Sequence, residues 1–240
     1  MLNTCIIIPA RYQSSRFPGK PLAKIVGISL IERVWNISIK SNADYVAVAT
    51  DDERIADHCK RKNINFIMTS SKCKTGTDRI YNASKKIKSK YYFNVQGDEP
   101  LIKYTDINKI IKFTLKGNEV TCGMAKIKEK SEYFSLSVPK VVTNKNGYLQ
   151  YISRSPIPGS KTKEYINSYK QVCIYGLPKK YLDFFGKFKV KTSLEEYEDI
   201  EMIRFLENSV KVKMIKVSDS SIAVDFKKDI AKVERAILNS

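Results

Sequence analysis

The densest chemistry in the chain follows its first aliphatic run, in the stretch Ile8-Pro9-Ala10-Arg11-Tyr12-Gln13-Ser14-Ser15-Arg16-Phe17-Pro18-Gly19-Lys20-Pro21-Leu22. Arg11, Arg16 and Lys20 place three cations within ten residues of a loop that leaves a strand. Loops at the carboxyl ends of strands are where open α/β sheets hold ligands, and Gly19 between two prolines gives a backbone able to wrap a polyphosphate. Guanidinium forks and a lysine point charge suit phosphate oxygens. The spacing matches neither the GxxxxGKS/T loop nor the GxGxxG fingerprint, so this would be a phosphate site of another design.

A second group is acidic. Gln96-Gly97-Asp98-Glu99-Pro100 ends an apolar run with a turn, which places Asp98 at the carboxyl edge of a sheet. A magnesium ion keeps several waters and takes one or two carboxylates plus phosphate oxygens, so Asp98 predicts a partner acid elsewhere. Asp225, in the otherwise apolar SIAVDF run, is the candidate. Read from the residues alone, turn-capping is the lesser alternative for Asp98, whereas for Asp225 helix-capping is the leading one.

Lys74-Thr75-Gly76-Thr77-Asp78-Arg79 is a small-residue turn opening a helix, suited either to reading a base or ribose or simply to capping. Arg154, in Ser153-Arg154-Ser155-Pro156, stands in strand-like surroundings and suits a bidentate carboxylate or a surface ion pair. Five acids crowd residues 195–201, but acids in a first helical turn are electrostatically favoured without any catalytic role. The lone histidine, His58, in DDERIADHCKRK reads as a solvated helix residue.

These residues need a frame. Through about residue 115 short apolar runs, Thr4 to Pro9, Asp44 to Ala49, Asn65 to Met68 and Tyr91 to Gln96, alternate with helical stripes such as Leu30/Val34/Ile37 and Ile80/Ala83/Ile87. That alternation predicts βαβ units, an α/β fold and a mostly parallel sheet with helices on both faces. Beyond residue 120 extended segments at 120–127, 138–143, 148–153 and 170–175 predict a mixed-strand extension, with Asn146-Gly147 as a hairpin turn. A helix from Ser193 to Leu206 with a Ser193/Glu196 capping box, a strand from Val210 to Val217 and a helix from Lys227 to Leu238 complete the expected chain. No repeat or linker divides the 240 residues, so one domain is expected, residues 1–115 forming one half and 116–240 the other.

Composition narrows the classes. No apolar run approaches the ~18 residues of a membrane span, and the opening MLNTCIIIPAR has neither a basic n-region nor a small-residue cleavage site, so neither membrane insertion nor secretion is expected. Five scattered cysteines without a CxxC pair predict reduced thiols in a cytoplasmic protein. A net charge of +18 raises nucleic acid as a partner, yet 34 of the 43 basic residues are lysines spread in short pairs, so an attraction for small anions is the better reading.

PARYQSSRFPGKPL resembles the N-terminal signature of the sugar-acid cytidylyltransferases, and specifically of the 3-deoxy-manno-octulosonate (Kdo) cytidylyltransferase family. The similarity continues through ATDDERI, TGTDRI, NVQGDEPLI, VPKVV, SRSPIP, CIYG and the VD at 224–225. It implies a Rossmann-like nucleotidyltransferase fold and a reaction of CTP with Kdo giving CMP-Kdo and pyrophosphate. It further implies magnesium on Asp98 and Asp225, and nucleotide contacts at Pro9, Ala10, Arg11, Arg16, Lys20, Thr77, Arg79 and Gln96. Sugar-acid contacts are implied at Arg154, Tyr175 and Glu201, with Lys20, Arg16 and Asp98 closest to the chemistry. Residues 1–115 would then bind nucleotide, while 116–240 would bind the acid and build a homodimer, and the product would serve lipopolysaccharide or capsule assembly. Where such proteins carry histidine, glycine, tyrosine and glutamine, this chain has Gln171, Cys173, Leu177 and Met202. Those changes keep open a different 2-keto acid, such as 8-amino Kdo or a sialic-type acid, as the acceptor.

Overall fold

The first strand, Leu2–Ala10 (β1), has Cys5, Ile6, Ile7 and Ile8 all fully buried, because both of its faces are covered. Cys5 and Ile7 point into one hydrophobic core, Ile6 and Ile8 into the other. This is the period-two alternation of a strand translated into two cores. The computed structural model describes residues 1–239 apart from Ser15 and Lys163, so Ser15 of the cationic loop lies outside the described residues.

Next come Lys24–Ile25 (β2), Ile28–Ser29 (β3), helix Leu30–Ser38 (α1), Tyr45–Thr50 (β4), helix Glu53–Arg61 (α2) and Phe66–Met68 (β5). Helix Gly76–Ser84 (α3), Ser89–Val95 (β6), helix Tyr104–Gly117 (α4), Val120–Lys126 (β7) and the short helix Lys130–Phe134 (α5) continue the chain. Lys140–Thr143 (β8), Leu149–Ser153 (β9), Tyr169–Pro178 (β10) and helix Lys179–Phe185 (α6) follow. The chain then forms helices Ser193–Glu198 (α7) and Met202–Glu207 (α8), strand Val212–Lys216 (β11) and helix Asp229–Leu238 (α9).

The main sheet runs β11-β7-β10-β6-β1-β4-β5, with the β8–β9 hairpin attached to β10. β1 pairs parallel with β4 and β6, β4 with β5, and β11 with β7; β10 alone in this row runs antiparallel to its neighbours. The predicted α/β sheet and its mixed extension are therefore present. Asn146-Gly147 lies in the β8–β9 turn, where Gly147 takes φ +75° and the Asn144 carboxamide oxygen accepts the N–H groups of Asn146 and Tyr148.

Two sequence expectations change. The helix expected from Ser193 to Leu206 is two helices, broken where Asp199 takes φ +50°. Its capping box is formed by Thr192 and Glu195, one residue before the expected Ser193/Glu196 pair. The break has a tertiary cause. Glu198 accepts the Arg154 N–H at 2.8 Å and the Ser153 hydroxyl, while Glu201, past the turn, reaches α3. His58 is not a solvated residue either: its Nε2 lies 2.8 Å from Ser29 Oγ and its side chain is 16% exposed, so burial lowers its pKa despite nearby Glu32.

Candidate active site

The cationic loop leaves β1 at Ala10 and closes on itself. Gly19, at φ +72°, donates its N–H to the Tyr12 carbonyl at 2.8 Å, and an added Cβ would meet the Tyr12 ring at 3.1 Å. A left-handed residue packed this tightly calls for glycine. Lys20–Leu22 then form a 3-10 turn with Pro21 buried. This turn aims the Lys20 ammonium back across the sheet edge, where it donates to Asp98 Oδ2 at 2.8 Å and to the Val224 carbonyl at 2.9 Å. Arg16 pairs with Asp225 at 2.9 Å and lies over the Phe226 ring, and Arg11 is exposed.

Arg11, Arg16, Lys20, Asp98 and Asp225 face one cleft of about 620 Å³ at the carboxyl edge of β1 and β6. Pro9, Ala10, Gln96, Arg79, Tyr175 and Glu201 border it too, as does Arg154. Thr77 alone among the predicted site residues is not on its wall. It is fully buried, and its N–H and hydroxyl donate to Glu201 at 3.2 and 2.5 Å.

The small-residue turn serves both purposes that its sequence left open. Thr75 and Asp78 form a capping box on α3, and the same turn borders the cleft. Arg79 is 4% exposed and donates to Thr69 Oγ1 at 2.7 Å and Asp51 Oδ2 at 3.1 Å, which fixes the wall more than it frees a cation for phosphate. On the floor, the carboxamides of Gln96 and Gln171 each donate to the Tyr175 hydroxyl at 3.2 Å. Burial holds the Tyr175 phenol well above the ordinary tyrosine range, and the nearby Cys173 adds to this. Burial likewise pushes the Glu201 carboxyl up to about 7, against the opposing bonds from Thr77.

Arg154 borders the cleft with most of its donors already engaged. Its guanidinium donates to the carbonyls of Glu198 at 2.6 Å, Leu136 at 3.0 Å and Asp199 at 3.1 Å, leaving two of its five N–H bonds for any carboxylate. Beneath it Lys140 is fully buried, donating to the carbonyls of Ser135 and Arg154, and burial with the neighbouring Arg154 charge pulls its pKa down to about 8.

The sequence departures separate cleanly. Leu177 and Met202 are fully buried in a core cluster and do not border the cleft, whereas Gln171 and Cys173 do. Two of the four changes therefore alter packing, and two alter the cleft wall.

Sequence reasoning missed four contributors. Glu99, 4% exposed, accepts the Cys173 N–H at 2.7 Å and the Ser221 hydroxyl. Arg204, 1% exposed, pairs twice with Glu195 and once with Asp78, joining α8 and α7 to the turn that opens α3. Lys228 and Lys232 border the cleft, and their i, i+4 spacing just after Asp225 was the signal available for them.

Asp98 and Asp225 are brought to one end of the cleft, close enough for each other's charge to matter. Burial raises the Asp225 carboxyl, Arg16 opposes that, and Asp98 reinforces it. Paired acids and a cationic strand loop at the carboxyl edge of a mostly parallel sheet mark a nucleotide-dependent transferase. Residues 5–215 match the cytidylyltransferase family model. The 3-deoxy-manno-octulosonate cytidylyltransferase of Fusobacterium nucleatum is 39% identical over 95% of this chain and 94% of its own. That of Thermodesulfovibrio yellowstonii is 38% identical over 99% and 98%. Among solved structures, a CMP:2-keto-3-deoxy-manno-octonic acid synthetase complexed with CTP superimposes with a TM-score of 0.91 at 30% identity, covering 99% of both chains. The chain belongs to the cytidylyltransferase family, in its 3-deoxy-manno-octulosonate branch.

Proposed function

We propose that the protein couples CTP to Kdo: the C2 hydroxyl oxygen of the acid bonds to the α-phosphorus, the Pα–O–Pβ bond breaks, pyrophosphate leaves and the hydroxyl proton passes to solvent. The convergence of Arg11, Arg16 and Lys20 with Asp98 and Asp225 in one cleft carries this reading. No protein nucleophile is required. The cations orient the triphosphate and neutralise charge as pyrophosphate departs, which is positioning and electrostatic stabilisation.

The donor set fits magnesium. Among the described residues no cluster of three potential ligands stands together, so a hard cation would take Asp98 and Asp225 and complete its shell with phosphate oxygens and water. When bound, the ion would supply charge stabilisation for the reacting phosphate. Lys20 pairs with Asp98 and Arg16 with Asp225, so phosphate binding would redirect both cations from carboxylate to phosphate. Pro9, Ala10 and Gln96 would border the nucleotide, with Thr77 and Arg79 shaping its wall from behind, and Tyr175, Glu201 and the remaining Arg154 donors would face the acid.

Kdo is favoured over other 2-keto acids by the similarity to 3-deoxy-manno-octulosonate cytidylyltransferases over most of the chain. The departures at Leu177 and Met202 do not weigh against it, because both lie in the core and off the cleft wall. The test is pyrophosphate release with CTP and magnesium against Kdo, 8-amino Kdo and N-acetylneuraminate, with ATP, UTP and GTP as controls. Rapid release with CTP and Kdo is expected, and release only with another acid would rename the acceptor. By the same resemblance we propose a cytoplasmic homodimer built through the later half, supplying lipopolysaccharide assembly; a light-scattering mass of one chain would contradict the dimer. Among the described residues no helix is long and apolar enough to cross a membrane.

A further inference from the structure

Residues 217–228 run from β11 to α9 with no helix or strand, and this strap delivers Asp225 to the cleft. Its early part is tied to α4 and the segment before it: Ser218 donates to Asp106, and Ser220 Oγ to the Leu101 carbonyl at 3.3 Å. Its late part is tied by Val224, whose N–H donates to the Asp98 carbonyl at 2.8 Å and whose carbonyl accepts from Lys20 at 2.9 Å. That last tie uses the ammonium proposed above for phosphate, so substrate entry would loosen it. The Asp229 carboxylate accepts the N–H groups of Asp225 at 3.0 Å and Phe226 at 2.8 Å, but this ties the strap only to the start of α9. The side-chain tie from the strap to the sheet edge beside Asp98 that uses no phosphate-binding group is the Ser221 hydroxyl on Glu99.

Glu99 is placed for such a task. It follows Asp98 directly, and its second oxygen accepts the Cys173 N–H at 2.7 Å. Cys173 lies where β10 departs from its register with β7, between Val172 and Tyr175, so its N–H is free of that ladder. One buried carboxylate thus joins the irregular floor strand to the strap.

We infer that Glu99 is a positioning residue which, through Ser221, holds the strap so that Asp225 stays opposed to Asp98 while the cations engage phosphate. The inference rests on the proposed cytidylyl transfer and assigns Glu99 no contact with substrate.

The test compares Ser221→Ala, Glu99→Gln and Glu99→Ala/Ser221→Ala with the parent protein, reading Mn²⁺ uptake by each protein–CTP complex from the paramagnetic resonance of free Mn²⁺. Removing a residue that orients a metal ligand costs about 10–100-fold in affinity, so Ser221→Ala should weaken Mn²⁺ binding at least about tenfold. Metal-free CTP affinity should stay within about twofold, since this tie does not hold the nucleotide. Glu99→Gln should stay within about threefold of the parent, because its amide can accept from Cys173 and donate to Ser221. The double variant should be no weaker toward Mn²⁺ than Ser221→Ala alone, as expected for two ends of one tie. Unchanged Mn²⁺ affinity in Ser221→Ala, an equal loss of metal-free CTP affinity, or a parent complex that takes up no Mn²⁺ would overturn the inference. If the parent shows the expected Mn²⁺ pattern but releases no pyrophosphate with Kdo, the proposed acceptor fails and the coupling stands.

Discussion

At the scale of single residues, Lys20 and Glu201 are the most testable. Lys20 is 15% exposed and held between Asp98 and a backbone carbonyl, so its ammonium is oriented by the protein. Losing one preorganised charge-stabilising donor costs about 10²–10³ in turnover. Lys20→Ala should fall by that factor in kcat with a near-parent thermal midpoint, and steady-state kinetics beside a melting curve would check both. Glu201 makes a different prediction, in pH. Its folded pKa is raised from 4.5 to about 7, so the folded state keeps a proton that the unfolded chain has lost. Stability from this group therefore declines as pH rises between about 4.5 and 7, and the cost is fully present above that window. Glu201→Gln, which can still accept from Thr77 N–H, should raise the melting temperature at pH 8 by about 2–4 °C, the shift ~1 kcal/mol produces in a chain this size. At pH 4.5 the variant and parent should melt together; an equal gain at both values would refute the assignment.

At the scale of elements, α3, α7 and α8 are locked by one side chain. Arg204 stacks 3.7 Å over Phe185 while its guanidinium meets Glu195 through two nitrogens and Asp78 through one. Removing one partner of a buried ion cluster strands the others and costs about 3–5 kcal/mol. Arg204→Ala should lose about that much in urea unfolding, while Arg204→Lys should recover little, because an ammonium cannot pair with both Glu195 oxygens in the fork geometry. The sequence exposed the elements that obey one local rule. β1 and β4 are aliphatic runs and β6 an aromatic one, each with its apolar residues largely buried, and that pattern survives without knowing what covers them. It did not expose the break at Asp199, because the cause lies in Ser153 and Arg154 more than 40 residues away. Arg154 shows the same limit: its type and surroundings were legible, but not the three carbonyls that absorb its donors. The cationic loop and Asp98 were legible because each follows a strand whose end could be located, and the carboxyl edge of a parallel sheet gathers such loops at one place.

At the scale of the whole molecule, the charge of +18 needs a physical account. Its lysines are dispersed, so the field is broad, and Arg11, Lys228 and Lys232 face the cavity beside the paired Arg16 and Lys20. A nucleoside triphosphate carries several negative charges, and an attractive field from the whole protein raises anion on-rates by about 10–10³, an effect that salt removes. The screening length falls from ~30 Å at 0.01 M to ~8 Å at 0.15 M, so the long-range part should vanish first. The expected result is a several-fold fall in kcat/KM for CTP between those ionic strengths, with kcat changing far less because the bound triphosphate is held at contact distance. Lys228→Gln/Lys232→Gln should flatten that dependence while leaving kcat near the parent's, since neither lysine pairs with Asp98 or Asp225. A kcat that falls in step with kcat/KM would place the salt effect in the chemical step instead. A nucleic-acid-binding protein would behave otherwise, with retention on a DNA column that persists at physiological salt and falls steeply with further salt. Dispersed lysines without an arginine-bearing stripe predict release from such a column well below that point.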